Sequence, residues 1–425
     1  MINTGTFKRL LYDKRINKYD LVKELKESSD IELINKVLRQ NRSHPLIKNI
    51  LSINSLPKSY EEISLRKSIG FTHSFESEIN WQLIHFEKHA DLINDFIGLK
   101  TDFDKLMLLG KYQEAEEILN TIEKDICYSN WSLENKFLLK EHKDGVKENW
   151  GILSEINKMN LQPMTAILAD NFSKRAEKKI SYFRFKNLLD NQLEELVDFK
   201  YFYEYMCFRI HMFGYKGYEN FTHLQYLESQ ASIADRYLAY LNIANEIISQ
   251  QNTENLSVIE RSLNYLNSFI NDSSLNQALN HMGESIELED SKTANQAFTM
   301  YIKGDYQEVL THCRYNIIHN PALYELWEIY VKALIESKSD FIEIEGIGFL
   351  NDILKNLYSF FDKGPNFQNS IQQLLKIILS FSSTKWSKQI YNTVYSHYNW
   401  SNPLYYNSIS SINSIINSTL TDLLL

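Results

Sequence analysis

Apolar residues follow a helical period along most of this chain. The positions Ile259, Leu263, Leu266 and Ile270 lie four, three and four residues apart, which places them on one side of an α-helix. Over residues 75–97 the same spacing is shared by Phe75, Ile79, Leu83, Phe86, Ala90, Ile93 and Ile97. We therefore predict one helix over residues 75–97, with Gly98 as its C-terminal cap.

Repeating this reading along the chain predicts about twenty helices and no strand with alternating apolar and polar residues. Short polar breaks lie near residues 250–256, 271–275, 284–292, 337–346, 362–370 and 399–403. We divide the chain into basic N-terminal helices (1–57), a helical array (58–250) and a C-terminal helical array (251–425).

Three helix starts have the spacing of a capping box. In this motif a serine hydroxyl accepts an early backbone N–H of the helix, and a glutamate three residues later reaches back to the N–H of the serine. The spacing occurs in the pairs Ser29 and Glu32, Ser59 and Glu62, and Ser257 and Glu260.

The content of turn-forming residues supports an all-helical fold. The 425 residues include 13 glycines and 6 prolines, well below the usual shares of about 7% and 5%. An all-β protein needs a turn at intervals of roughly 8–12 residues, and this chain has too few glycines and prolines to supply them. The prediction is an all-α protein without a significant β-sheet.

Aromatic residues are concentrated between residues 182 and 226, where 14 of 45 positions are aromatic against 13% of the whole chain. Aromatic side chains interleaved with cations can stack on nucleic-acid bases. However, Phe199, Tyr203 and Met206 follow helical spacing, as do Phe202, Tyr205, Arg209 and Met212. Packing between helices is the favoured interpretation, because aromatic rings fill a core efficiently.

Charge is unevenly distributed along the chain. Residues 1–60 contain 12 Lys and Arg against 6 Asp and Glu, so the remaining residues carry 33 against 48 and the total is −9. A basic end on an acidic body can contact nucleic acid or an acidic partner. The alternative is an ordinary solvated helix face.

Cellular location is predicted from what the sequence lacks. Cys127, Cys207 and Cys313 are far apart and form no C-x-x-C pair, which suits a reducing compartment. The first residues lack the apolar stretch of a signal peptide, and no apolar run reaches the roughly 18 residues of a membrane span. We expect a cytoplasmic protein without a membrane contact.

Two segments resemble tetratricopeptide repeats, whose pattern is W-x2-L-G-x2-Y…A-x3-F…P. In the first, Gly304, Tyr306, Val309 and Pro321 match the family's offsets, and Trp327 falls where the next repeat begins. In the family, the glycine closes a tight turn between two antiparallel helices, the aromatic residue packs under it, and the proline ends the second helix.

The second segment supplies Gly110, Tyr112, Ala115 and Leu119, the last two as a version of A-x3-F. The two turn glycines are 194 positions apart, which is not a multiple of the 34-residue period of the family. The resemblance implies an irregular α-solenoid of stacked antiparallel helical hairpins, with TPR-like hairpins near residues 100–127 and within 251–425. Such solenoids bind proteins or peptides on an extended concave surface.

The repeat pattern also predicts which residues line that surface. After Pro321, the residues Trp327, Tyr330, Val331 and Leu334 form one apolar stripe, which we expect to be buried. By the resemblance, the groove is lined by another face of this helix and by the matching face of the preceding first helix. The predicted partner-binding residues are Asn295, Phe298, Tyr301, Glu325, Glu328 and Lys332.

No motif identifies an enzyme. The sequence has no P-loop, dinucleotide fingerprint, nucleophile elbow or H-E-x-x-H, so we expect no cofactor. His85 and His89 lie one helical turn apart, but no third metal ligand is close in sequence. The pairs Lys174-Arg175 and Lys178-Lys179 predict a basic patch on a helix, for which a solvated face is again the alternative.

A helical RNase is the main enzymatic alternative. One family of helical RNases has an Arg followed four to six residues later by a His, and this spacing occurs in Arg39 with His44 and in Arg66 with His73. A histidine can move a proton while the arginine stabilises phosphate charge. About one such pair is expected by chance at this composition.

The favoured function is therefore a non-enzymatic interaction or scaffold protein. The alternatives are the RNase and a nucleic-acid-binding accessory protein that uses residues 1–60. The frequent use of Ile, Asn and Lys is typical of AT-rich microbial genomes. The resemblance to helical-repeat proteins, which often lie beside enzymes in bacterial defence or toxin-type operons, implies an accessory or regulatory role in such a multi-gene system.

Overall fold

Helices are the regular secondary structure of the part of the chain that the structure describes. The computed structural model describes residues 4–28, 30–52, 56–63, 69–194, 200–211, 218–282 and 289–397. These residues form 22 α-helices and no β-strand. The predicted all-α class is therefore confirmed for the described part of the chain.

The first eleven α-helices are α1 Thr4–Tyr12, α2 Lys18–Lys26, α3 Ile31–Gln40, α4 Pro45–Ser52, α5 Phe75–Lys88, α6 Ala90–Leu109, α7 Tyr112–Thr121, α8 Asn130–Lys143, α9 Val146–Ile156, α10 Pro163–Ala176 and α11 Tyr182–Glu194. The others are α12 Lys200–Arg209, α13 Phe221–Glu228, α14 Ile233–Ser249, α15 Thr253–Asn267, α16 Ser273–His281, α17 Glu289–Lys303, α18 Tyr306–His319, α19 Tyr324–Glu336, α20 Gly348–Asp362, α21 Phe367–Ser380 and α22 Lys385–His397.

The predicted capping boxes do not start these helices. Ser29 lies outside the described residues, and Asp30 caps α3 by accepting the N–H of Leu33. Ser59 precedes only a short 3-10 helix, and its side chain makes no capping hydrogen bond there. Ser257 lies within α15, which Asn252 caps. Ser, Asp and Asn are all good caps, so the chemistry of serine alone did not select the right positions.

The predicted single helix over residues 75–97 is two helices. Backbone angles at His89 (φ −111°, ψ 23°) end α5 and begin α6. Gly98 lies within α6, and the C-terminal cap is Gly110, with φ 74°. The apolar spacing continues unchanged across His89, so periodicity could not reveal the bend.

Three groups of buried side chains hold the helices together. The largest runs from Phe75 to Val394 and includes the predicted stripe of α15, so helices before and after residue 250 share one core. A second group joins α8, α10, α11 and α12. The third joins α1–α4 to α5 through Trp81 and Ile84. The basic N-terminal helices therefore pack against the rest of the chain.

The aromatic-rich segment is mainly a packing element, as the sequence analysis favours. Phe185 and Met206 are completely buried, and Tyr205 is 4% exposed. Phe202 and Tyr203 are half-buried against the second group, and Arg209 is paired in the interior with Glu228. Phe199 and Met212 lie outside the described side chains. Tyr201, by contrast, is exposed and stacks on His223 with ring centroids 3.8 Å apart.

The two TPR-like segments form hairpins closed by glycines with positive φ, at Gly110 (74°) and Gly304 (82°). In the hairpin of α17 and α18, Tyr301 meets Tyr306 beside the turn, with ring centroids 5.7 Å apart. Farther from the turn, Nε2 of His312 lies 3.4 Å from the carbonyl oxygen of Thr293. Contacts near and far from the turn show that α17 and α18 are antiparallel. Their membership of a TPR-like solenoid stays a prediction.

Candidate partner-binding surface

The hairpin of α17 and α18 is fixed to α19 by the predicted apolar stripe. Trp327, Tyr330, Val331 and Leu334 are all completely buried. The indole N–H of Trp327 donates to the carbonyl oxygen of Pro321 at 2.9 Å. This bond joins α19 to the segment that follows α18, so α19 holds the hairpin in position.

The α19 face predicted to line a groove contacts other helices of the same chain. Glu325 accepts a hydrogen bond from Nε2 of Gln389 on α22 at 2.9 Å. Glu328 and Lys332 form an ion pair, and the Lys332 ammonium lies 5.1 Å from the ring centroid of Phe361 on α20. These three side chains are half-buried. They hold α20 and α22 in place, and we do not assign them to a partner.

The predicted residues on α17 have different surroundings. Asn295 is exposed, and the Phe298 side chain is 51% exposed. Tyr301 is half-buried against Tyr306, so it serves the hairpin itself. Ala297 is completely buried and sets which side of α17 faces the protein.

Sequence reasoning missed Ile302, which is 69% exposed and lies one helical turn after Phe298. Residues four apart share a face of a helix, so Phe298 and Ile302 form one apolar pair on the surface. The sequence signal for this pair is the spacing of four residues between two large apolar side chains, the first of which directly follows Ala297.

The second helix of the hairpin exposes two more large apolar side chains. Tyr315 is 64% exposed and Ile318 is 41% exposed, and Tyr315 packs on His319 with ring centroids 4.3 Å apart. Four of the thirteen large apolar side chains exposed by the described residues therefore lie on α17 and α18. Most large apolar residues of a folded protein lie inside, so this concentration marks the hairpin as a candidate surface.

The RNase candidates are held by separate elements. Arg39 donates to Oε1 of Glu87 on α5 at 2.7 Å. His44 accepts the N–H of Leu46 on Nδ1 at 3.3 Å and packs edge-on against Tyr12. Burial and the nearby Lys18 lower the pKa of His44.

The other pair cannot be assembled from the described residues. Arg66 lies outside them. His73 has a positive φ of 58° and packs against Phe71, with ring centroids 4.3 Å apart.

The predicted basic patch on α10 is wrong for one of its cations. Arg175 is 1% exposed, pairs with Glu134, and donates to the carbonyl oxygen of Ile210 at 2.7 Å. Lys174 forms an ion pair with Asp170 at 2.6 Å, while Lys178 and Lys179 are exposed. Buried charges are usually paired, but the sequence did not show which arginine would be inside.

His85 and His89 are buried, and the His85 ring packs against Trp81 at 5.6 Å. Within the residues that the structure describes, no three His, Cys, Asp or Glu side chains are grouped so that they could hold a metal ion. In the same residues, every helix is too short or too polar to cross a membrane.

Comparison with known proteins gives a distant likeness over most of the chain. The chain is similar to the Detocs histidine-protein kinase DtcA of Enterobacter cloacae (strain JD6301), with 20% identity over 419 residues. The alignment covers 94% of this chain and 36% of the kinase, so the chain spans about a third of the length of this relative. No protein-family model matches the sequence, and no solved structure matches it.

Proposed function

We propose that this chain is a non-enzymatic, cytoplasmic interaction protein that binds a protein or peptide partner and acts as a regulatory or accessory component of a bacterial defence system. The partner contacts the hairpin of α17 and α18, which we place in an irregular TPR-like array. The similarity to a kinase of the Detocs defence system supports the biological setting. The chain spans 36% of that kinase, and the role that we propose for it is recognition of a partner.

The observation that carries this proposal is the exposed apolar pair Phe298 and Ile302. Each side chain is more than half exposed, at 51% and 69%. A partner that covers these side chains removes apolar surface from water. This burial stabilises the complex by about 25 cal/mol for each Å² of apolar surface. Large apolar anchors at the centre of an interface contribute most of its binding free energy.

Affinity capture from the native host, followed by mass spectrometry, tests the proposal. The variant Phe298→Ala with Ile302→Ala should weaken binding of the partner by about thirtyfold or more, because each lost anchor costs on the order of 1 kcal/mol or more. Its melting temperature should stay within about 4 °C of the original, since both side chains are mainly in solvent.

A matched control removes two other exposed apolar side chains, Met159 and Leu188, which are 40% and 37% exposed. Met159→Ala with Leu188→Ala should leave capture unchanged. Equal capture by the original protein and by the Phe298 and Ile302 variant would refute the assignment of this surface. Equal loss in both double variants would also refute it, because the effect would then be general.

A nucleic-acid-binding accessory role is a second candidate, favoured by the surface of α1 and α2. Tyr12 and Tyr19 are 58% and 41% exposed, and Lys8, Arg9 and Lys14, which are close to them in sequence, are also exposed. Cations next to exposed aromatic rings suit single-stranded nucleic acid. Fluorescence anisotropy with a labelled RNA oligonucleotide tests this role, and Tyr12→Ala with Tyr19→Ala should weaken binding if it is correct.

A further inference from the structure

A cavity that opens to solvent lies between Tyr112, at the start of α7, and the pair α20 and α21. Its volume is about 570 Å³, and α8 and the segment after α10 complete its walls. This volume is within the range of about 300–1,000 Å³ that is typical of small-molecule sites. The cavity is distinct from the exposed surface of α17 and α18.

One wall of the cavity is aromatic. His142 packs against Phe349 and Phe381, with ring centroids 4.9 and 5.3 Å apart, and against Tyr112 at 5.8 Å. Burial, together with Lys178 and Lys376, lowers the pKa of His142 to about 3, so its ring is neutral at physiological pH. Tyr112 and Phe349 are only half-buried. The Phe349 ring stacks on Phe381 with centroids 5.1 Å apart, so part of each residue in the pair Tyr112 and Phe349 remains exposed toward the cavity they line.

Three lysines line the same cavity. Lys355 on α20 and Lys178 are exposed, whereas Lys376 on α21 is half-buried. The Lys376 ammonium donates to the carbonyl oxygen of Arg175 at 3.1 Å, which fixes its position at the end of α10. The backbone N–H of Lys178 donates to Oε1 of Glu141 at 3.0 Å. Hydrogen bonds therefore fix the side chain of Lys376 and the backbone of Lys178.

The remaining wall consists of uncharged polar side chains and one carboxylate. Asn366, just before α21, and Asn369 and Gln373 in its first two turns line it, and Asn356 and Asp352 line it from α20. Amide side chains both donate and accept hydrogen bonds, which suits the edge of a heterocycle. The N-terminal end of α21 carries a partial positive charge, which adds to that of the lysines.

We propose that this cavity binds a mononucleotide, with its base stacked on Tyr112 or Phe349 and its phosphates held by Lys178, Lys355 and Lys376. The aromatic rings, the lysines and the amide side chains together favour this class of ligand. An inorganic phosphate would use the lysines but not the aromatic rings. An apolar ligand would leave the lysines without an anion. A nucleotide uses the rings for stacking, the amides for the base edge and the lysines for phosphate.

The test is isothermal titration calorimetry of the full chain with ATP, GTP, CTP and UTP, and with adenosine and pyrophosphate as the separate halves of the ligand. At least one nucleotide should bind, and adenosine and pyrophosphate should each bind about tenfold more weakly or worse, because each makes only part of the contacts. Pyrophosphate binding as tight as that of every nucleotide would replace the proposal with a simple anion site. No nucleotide binding at about 1 mM would overturn it.

Variants locate the ligand. Lys355→Gln and Tyr112→Ala should each weaken nucleotide binding by about tenfold, because one removes a phosphate contact and the other a stacking contact. Lys36→Gln with Lys303→Gln removes two exposed lysines far along the chain from the cavity residues and should change the affinity little. Unchanged affinity in both Lys355→Gln and Tyr112→Ala would show that any bound nucleotide lies elsewhere.

Lys376→Arg adds a readout that simple loss of structure would not produce. Burial lowers the pKa of Lys376 to about 7, which Glu141 and Glu177 oppose and Arg175 reinforces. A bound phosphate favours the charged ammonium, so affinity should fall as pH rises from about 7 to about 9. Arginine keeps its charge over this range, so Lys376→Arg should bind with less dependence on pH. An equal pH dependence in the two proteins would exclude Lys376 from the phosphate contact.

Discussion

The ammonium group of Lys26 lies 2.6 Å from Oε2 of Glu78, and the two side chains are 1% and 0% exposed. Oε1 of Glu78 accepts the N–H and the hydroxyl of Thr72 at 3.0 and 2.8 Å. Burial lowers the pKa of Lys26, while Glu78 opposes that shift. This pair joins α2 to α5, so a buried contact between opposite charges adds to the apolar group that docks the N-terminal helices.

Lys26→Met should therefore destabilise the protein by about 3–5 kcal/mol, because it leaves the Glu78 carboxylate buried without its cation. Adding Glu78→Gln should recover part of this loss, since the amide is neutral and its oxygen can still accept from Thr72. Urea unfolding of the single and double variants measures both effects. A change below about 0.5 kcal/mol in Lys26→Met would mean that the ion pair is not formed in solution.

Gly304 and Gly98 should respond to alanine with opposite signs. Gly304 has a φ of 82°, and a Cβ there would meet no atom within 4 Å. Gly304→Ala should therefore cost about 1–2 kcal/mol through the backbone conformation alone. Gly98 is exposed within α6, also with open space around a Cβ, so Gly98→Ala should stabilise by about 0.5–1 kcal/mol. Thermal unfolding compares them, and the same sign for both would contradict the assigned backbone conformations.

Lys376 should make stability increase with pH over a defined range. Its pKa is about 7 in the folded chain and about 10.4 when the chain is unfolded. Between these values the unfolded chain binds more protons, so the free energy of unfolding rises with pH. Lys376→Met removes this contribution.

The stability of the original protein relative to Lys376→Met should therefore rise between about pH 7 and pH 10. Urea unfolding at several pH values measures the difference. Lys303→Met, at an exposed position, controls for the loss of one positive charge. A constant difference between the original protein and Lys376→Met across this range would contradict the lowered pKa.

The RNase alternative has its own test. Arg39 is bound to Glu87, and His44 packs against Tyr12. The cation and the proton-transfer group of that hypothesis therefore contact different residues. His44→Ala and His73→Asn should leave any RNA cleavage by the purified protein unchanged. Asparagine is chosen at position 73 because it tolerates the positive φ. Loss of cleavage in either folded variant would favour the RNase over a binding protein.

Local features explain what could be predicted of the fold. The turn at Gly304 depends on one backbone conformation that glycine adopts easily. The burial of Trp327 and Tyr330 depends on spacing within one helix. The break at His89 was missed because the apolar spacing on its two sides is continuous. The cap at Asn252 was missed because several polar residues near it could have served equally well.

The candidate surface was partly predictable for the same reason. Phe298 was predicted from the resemblance to tetratricopeptide repeats, and Ile302 could have been found one helical turn later by spacing. The contacts of Glu325 and Lys332 could not be predicted, because their neighbours Gln389 and Phe361 come from α22 and α20. Which face of a helix remains open depends on helices that follow it in the chain.

The sequence by itself determined the all-helical class, the two glycine turns and the apolar stripe of α19, because helix periodicity and backbone conformation are properties of a few neighbouring residues. Only the tertiary structure decided that Arg175 is inside, that Lys26 meets Glu78, and that Tyr112 and Lys376 line one cavity. These arrangements join distant parts of the chain, and their free energy comes from burying many side chains together. No local pattern contains that information, because each contact depends on how every other helix packs.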